Sequence, residues 1–329
     1  MIAAVMGVLL LVSVGVAGWI SHSRQAASDR GGDIMAEIRQ AGLPHFWGEG
    51  TREFYLMRHN GETVGWRAVL RRPVGDGYRG FDMHATAEGA TAWESWTLHN
   101  DLRSGTYVAF GPSSTVRGLL AKTEITFTAG QIEVTETLLA LAGGGRASRP
   151  GLPPRPGPSP RLEAVDRHTS RTDVGDNYLP EGSLPLVARR VGEHKANASF
   201  KIVMNGTPPL QTARGELTTR LSSVRVEFNG TEMLQDPPLE PATVVSMARG
   251  GFGHEDAERT FWSRSGELRR IAFDQSDMVR VSQQELQRVF PKAMEELTTL
   301  SNSAEIGYEE EKNDDAETET SNDQAEGDV

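Results

Sequence analysis

From Thr51 onward apolar residues recur at every second position. In 63–70, Val64, Trp66, Ala68 and Leu70 face one way and Thr63, Gly65, Arg67 and Val69 the other, a strand period. Asn60-Gly61 separates this run from EFYLMRH and supplies the two positive φ angles of a type I′ turn, which predicts a hairpin over 53–72. A second hairpin is predicted over 123–138: Ile125 and Phe127 alternate with threonines, Ala129-Gly130 turns, and Ile132 and Val134 alternate with Glu133 and Thr135. Runs at 78–85, 92–98, 105–110 and 115–121 read as further strands. Later, Val224, Val226 and Phe228 alternate with Arg225 and Glu227, and Asn229-Gly230 reads as a turn. Residues 259–264 and 267–274 flank Ser265-Gly266, and 277–281 reads as the last strand.

Three segments follow the helical period instead. In 33–41, Ile34, Ile38 and Ala41 share a face, and Gly42 and Pro44 stop the run. Ser183 caps a helix over 183–195 with Pro185 in its first turn. Ser282-x-x-Glu285 is a capping box opening a helix through Phe290, and Pro291 restarts it to about residue 301. The fold class expected is therefore mainly β: an antiparallel meander forming a curved sheet or half-barrel, with an N-terminal transmembrane helix and a few short helices.

The membrane helix comes from residues 1–21, which carry no charged side chain. Twenty apolar residues at about 1.5 Å each span about 30 Å, the hydrocarbon thickness of a bilayer. Trp19 ends the run where an interfacial aromatic belongs. The stretch lacks the basic start of a signal peptide, and Gly15-Val16-Ala17 and Gln25-Ala26-Ala27 are poor cleavage contexts, so residues 2–20 read as a retained anchor, with a cleaved signal as the alternative. Arg24, Arg30 and Arg39 follow it, which taken literally puts the domain in the cytoplasm. The β-rich domain type and the absence of cysteine favour the extracytoplasmic side.

Composition divides the chain. Residues 143–160 hold five glycines and six prolines, so 143–176 reads as a linker or long loop. Residues 305–329 hold eleven acids against Lys312, so this tail carries −10 of the net −11 and the other 304 residues about −1. The tail is too polar to fold. The divisions expected are an anchor (1–21), a juxtamembrane segment (22–50), a first β-rich half (51–142), the linker, a second half ending in a helix (177–304), and the tail.

One pattern occurs twice. Trp96-x4-Asp101-Leu102-Arg103 precedes Tyr107, and Trp262-x4-Glu267-Leu268-Arg269 precedes Phe273 at identical offsets. Two duplicated hairpins facing one another would bury both tryptophans in one core. Trp96, Arg103, Trp262 and Arg269 are accordingly the candidate binding residues; the alternative for the arginines is an ion-paired or solvent-facing role.

Catalytic motifs are absent from the sequence. There is no phosphate-cradling P-loop or dinucleotide fingerprint, and no G-x-S-x-G elbow. Zero cysteines exclude thiol nucleophiles, disulfides and Cys-ligated zinc, and the eight histidines form no H-x-H or H-E-x-x-H. His254-Glu255-Asp256 reads as an exposed polar turn. No catalytic residue, metal or cofactor is expected, and no nucleic-acid partner.

The order of elements resembles bacterial envelope proteins of unknown function, and in outline the curved-sheet lipoprotein-localisation carriers. NGETVGW (60–66), LPEGSLPLVARRVGE (179–193) and WSRSGELRRIAFD (262–274) carry the resemblance, which spans about two-thirds of 51–290. The chain departs from those carriers in lacking a lipobox cysteine and in having the Pro/Arg-rich insert and the acidic tail. The resemblance implies a concave apolar sheet face. The function expected is a membrane-anchored binding or scaffolding module for a lipid, acyl chain or peptide. The alternatives are an enzyme with no visible site and an interaction protein acting through its tail.

Overall fold

A computed structural model of the chain describes residues 22–303, except 24, 88–90, 113–119, 129, 143–160, 176–177, 204–220, 237 and 250–256. The first strands are β1 (Thr51–His59), β2 (Glu62–Val74), β3 (Gly77–Thr86), β4 (Thr91–His99) and β5 (Gly105–Pro112). Next come β6 (Leu120–Thr128), β7 (Gly130–Ala142), β8 (Arg161–Gly175), β9 (Tyr178–Pro180) and β10 (Asn197–Val203). The last are β11 (Leu221–Met233), β12 (Pro241–Arg249), β13 (Glu258–Trp262), β14 (Leu268–Phe273) and β15 (Ser276–Val281). The helices are α1 (25–41), α2 (Leu43–Trp47), α3 (Leu184–His194), α4 (Gln283–Val289) and α5 (Ala293–Ser303).

All fifteen strands join one sheet in the order β8-β7-β6-β5-β4-β3-β2-β1-β15-β14-β13-β12-β11-β10-β9. Every pairing is antiparallel except β9 with β10. The first half of the chain and the second are thus two meanders joined through β1 and β15.

The sheet curls until its ends nearly meet. β6 and β9 lie twelve strand steps apart in the sheet, about 58 Å if it were flat. Yet the Phe127 and Tyr178 rings stack at 6.2 Å, and the Tyr178 hydroxyl donates to the carbonyls of Thr128, at 3.0 Å, and of Arg103. Only two residues join β8 at one edge to β9 at the other, which holds Gly175 and Tyr178 within about 11 Å.

The chain's own helices fill the inside of this barrel-like sheet. α1 contributes Ile34, Met35 and Ile38, α2 contributes Leu43, Phe46 and Trp47, and α3 contributes Leu184, Leu186, Val187 and Val191. They pack against inward residues of β1–β7 and β9–β14, in one continuous core. The concave apolar face anticipated from sequence exists, but helices cover it. α1 starts earlier than its predicted 33–41, and Gly31 within it is a close contact with the sheet. A Cβ there would lie 2.3 Å from the Ser199 carbonyl of β10, so only glycine lets the helix dock that closely. Ala41, expected on the buried face, is exposed, and Met35 takes that role.

A second core lies on the outer face of β1–β4. Phe54, Trp66, Ala68, Leu70, Phe81 and Met83 are covered there by Leu286, Met294 and Leu297 of α4 and α5. Ser282 caps α4 as the sequence indicates: its Oγ accepts from the Glu285 amide at 3.1 Å. Replacing Ser282 with Ala is expected to cost about 1 kcal/mol, read as a small fall in the thermal midpoint with unchanged circular dichroism.

The hairpin over 53–72 forms with Asn60 and Gly61 at φ 51° and 81°. Two expectations are corrected. Asn229-Gly230 does not turn the chain: β11 runs through it, and Gly230 at φ 92° sits in a bulge between Phe228 and Thr231. Residues 161–175, expected in the linker, form β8, paired along β7 from Ala142↔Arg161 to Gly130↔Gly175. The Pro/Gly-rich composition ends at Pro160, where the strand begins. The anchor (2–20), the His254 turn, the insert 143–160 and the tail lie outside the described residues. Among the described residues no helix is long and apolar enough to cross a membrane.

Candidate ligand pocket and a buried charge cluster

A pocket of about 230 Å³ opens where α2 and α3 meet β1, β2, β15 and the β13–β14 turn. Its walls are aromatic and charged. Trp47 and Phe46 come from α2, Leu186 and Arg189 from α3, and Trp262, Glu267 and Leu268 from the β13–β14 hairpin. Glu53, Arg71 and Arg280 reach it from β1, β2 and β15. Each strand delivers its residue by the period of two: Arg71 shares the inward face with Val69, opposite Leu70, which sits in the outer core.

These side chains are held firmly. Trp47 is packed by Tyr78 at 5.1 Å and Trp96 at 5.5 Å, and the Arg71 guanidinium lies 5.4 Å from its ring centre. Trp262 donates from Nε1 to Thr260 Oγ1 at 2.9 Å. The turn beside it is closed by Ser263 Oγ, which accepts from the Glu267 amide at 3.1 Å. Gly266 in that turn has φ 78°, and the Arg189 guanidinium occupies the place its Cβ would take.

Arg71 is the most enclosed charge of the pocket, with 7% of its side chain exposed. Its Nη1 donates to Glu53 Oε1 at 2.8 Å and to Thr51 Oγ1 at 3.0 Å, while Nε is buried without a partner. The Tyr55 hydroxyl takes the other oxygen of Glu53 at 2.9 Å. Burial beside Glu53 pushes the Tyr55 phenol well above its ordinary range. Glu267 is approached by Arg280 at 3.6 Å and Arg269 at 3.7 Å, beyond ordinary hydrogen-bond length.

Deeper inside the sheet lies a cluster that sequence reasoning did not single out. Arg67 grips Asp82 of the next strand through Nε at 2.8 Å and also through Nη2. Asp82 pairs in register with Glu94 on β4. Burial, then the charge of Asp82, pushes the Glu94 carboxyl up to about 7. Tyr107 is 3% exposed; its hydroxyl faces Glu94 electrostatically but makes no hydrogen bond of good geometry and is left without a partner. Burial also pushes Glu136 on β7 up to about 7 and holds the His84 imidazole below its usual range. Among the described residues no group of acids and histidines is arranged to hold a metal ion.

Unfolded, Glu94 ionises near 4.5; folded, near 7. Between those values the unfolded chain has released a proton that the folded chain keeps, so stability falls as pH rises through the window. Glu94→Gln is expected to remove that fall and raise stability at pH 8 by on the order of 2 kcal/mol relative to pH 4.5. Denaturant midpoints of the two proteins at pH 5, 6, 7 and 8 check this; parallel curves would contradict it. The acids pulled down by ion pairing, Glu37 and Glu193 between α1 and α3, act below their ordinary value and outside this window.

The four residues expected from the repeat have different fates. Trp96 and Trp262 do share the inner core. Trp262 lines the pocket, whereas Trp96 stands behind Trp47. Arg269 pairs with Glu240 at 3.4 Å as well as with Glu267. Arg103 sits in the β4–β5 turn, where its amide donates to Asp101 and its carbonyl accepts from Tyr178. The repeat is not carried through: Tyr107 is buried, Phe273 is 37% exposed, and the Asn-Gly pairs form a turn in one half and a bulge in the other.

Fold and site together define a class: an open, barrel-like antiparallel sheet plugged by its own helices, with a small mixed pocket at one end of the plug. No family model matches the chain, and no curated protein does. Among solved structures it is similar to a beta-barrel-like protein of Domain of Unknown Function DUF1849 from Brucella abortus, at 10% identity and a TM-score of 0.42, over 71% of this chain and 95% of that one.

Proposed function

We propose that this chain is a membrane-tethered, non-catalytic binding module of a bacterial cell envelope, and that its ligand enters the pocket between Trp47 and Trp262. The observation that carries this is the occupied interior. The lipid or acyl-chain reading needs a free concave face, and α1, α2 and α3 cover it with buried side chains such as Ile38, Leu43 and Val187. Among the described residues a pocket of about 230 Å³ stays open to a ligand, below the roughly 300–1,000 Å³ that encloses a whole drug-sized molecule. That size favours the end group of a peptide or a small molecule over a lipid. Tethering rests on the apolar run at 2–20 and is tested by alkaline washing of membranes, which should leave the full chain in the pellet.

The ligand reading is tested by native mass spectrometry of the full chain purified in mild detergent, alongside Trp262→Ala. The wild type is expected to carry an adduct that the variant, folded by circular dichroism, has lost. An adduct of lipid mass retained by both proteins would contradict the pocket and restore the lipid reading.

A further inference from the structure

We infer that the Trp47–Trp262 pocket recognises a carboxylate carried on an apolar or aromatic body, the chemistry of a peptide's C-terminal residue or of a short free carboxylic acid. This rests on the pocket being the binding site and adds the class of ligand.

The pocket carries three guanidiniums, of which Arg189 is already held by Glu193 at 2.9 Å. Arg71, Arg189 and Arg280 line it against Glu53 and Glu267. Glu53 is spent within the protein, since Arg71 occupies one oxygen and the Tyr55 hydroxyl the other. Glu267 holds Arg280 at 3.6 Å, longer than a formed charge-assisted bond of about 2.7–2.9 Å, so that guanidinium keeps donors to spare. Arg71 is more than nine-tenths buried, and both its hydrogen bonds to side chains leave from Nη1. A planar fork laid on an indole is suited to a planar carboxylate, and desolvation by the surrounding aromatic rings strengthens the attraction.

Size and lining set the rest of the ligand. The cavity of about 230 Å³ holds about seven or eight waters at about 30 Å³ each, the bulk of one side chain with its carboxylate. Trp47, Trp262 and Leu268 offer flat apolar surface to that side chain.

The test is a fluorescence titration of the pocket tryptophans on the full chain in detergent, confirmed by calorimetry. The probes are N-acetyl-phenylalanine, its amide, and Gly-Gly-Phe. The acid is expected to bind at least tenfold more tightly than the amide. Arg280→Gln should weaken the acid about tenfold and leave the amide unchanged, and Arg71→Lys should also weaken the acid, because an ammonium replaces the fork. If either variant fails to fold, the contrast between acid and amide on the wild type decides alone. Tighter binding of Gly-Gly-Phe than of the single residue assigns a peptide end; equal binding assigns a small acid. Equal affinity for acid and amide would overturn the carboxylate while leaving the pocket as a ligand site. No response to any of the three probes would overturn the inference, and the adduct lost with Trp262→Ala would still report separately on the pocket.

Discussion

Gly80→Ala is expected to lose about 3 kcal/mol of stability, while Gly182→Ala loses almost none. The Trp96 ring of β4 lies across Gly80 of β3, its register partner, and Gly182 borders its other side. A Cβ on Gly80 would fall 2.1 Å from Trp96 Cζ2, whereas one on Gly182 would meet the ring at 3.5 Å, an ordinary contact. Trp96 has little room to retreat, because it is buried and wedged against Trp47. Over-packing a core usually costs about 1–3 kcal/mol, and a rigid indole between two strands belongs at the upper end. Urea unfolding read by tryptophan fluorescence compares the two variants. Equal stability would mean that Trp96 does not occupy this seat, and the support for Trp47 in the pocket would go with it.

Arg67→Met is expected to cost a further large amount, about 3 kcal/mol at pH 7. A quarter of the Arg67 side chain is solvent-accessible, so the low end of the roughly 3–5 kcal/mol for breaking a buried pair applies. Removing it leaves Asp82 facing Glu94 across the register pair with no cation between them. Glu94 would then be pushed further up, so the loss should shrink toward pH 5, where that carboxyl is protonated. Arg67→Met combined with Asp82→Asn should recover most of the stability, because two apolar or neutral groups replace a half-broken pair. A loss that is independent of pH and not rescued by Asp82→Asn would show that Arg67 acts by packing.

Much of the sheet was legible because its signals are local. Asn60-Gly61 with alternation on both sides specifies one hairpin, and Ser282-x-x-Glu285 specifies one helix start. Asn229-Gly230 has the same dipeptide but no strand break after it, and the chain absorbs the positive φ as a bulge. The faces were harder. In β2 the Trp66–Ala68–Leu70 face looks like the inside of the protein, yet it is the outer face, covered by α4 and α5 from the far end of the chain. The Arg67–Val69–Arg71 face points inward, and its charges are matched by Asp82 and Glu53. Alternation gives the period but not the side, since that depends on which helices arrive to cover each face. Of the pocket, Trp262 was the one candidate binding residue, and Glu267 and Leu268 were picked out only as members of the same repeat. Trp47 lies between Gly42 and Gly48 in a five-residue helix with no periodic signal, and Arg71 reads as one of two adjacent arginines before a proline.

The account turns on the barrel being plugged by its own helices, and hydrogen–deuterium exchange of the full chain tests this most directly. Amides of residues 25–41 and 184–194 are expected to exchange as slowly as those of β1, β2 and β12, because α1 and α3 share the sheet's inner core and open only with it. Exchange of α1 or α3 within seconds, while the strands stay protected, would mean that the concave face empties on its own and is free for a lipid, and the pocket reading would fail.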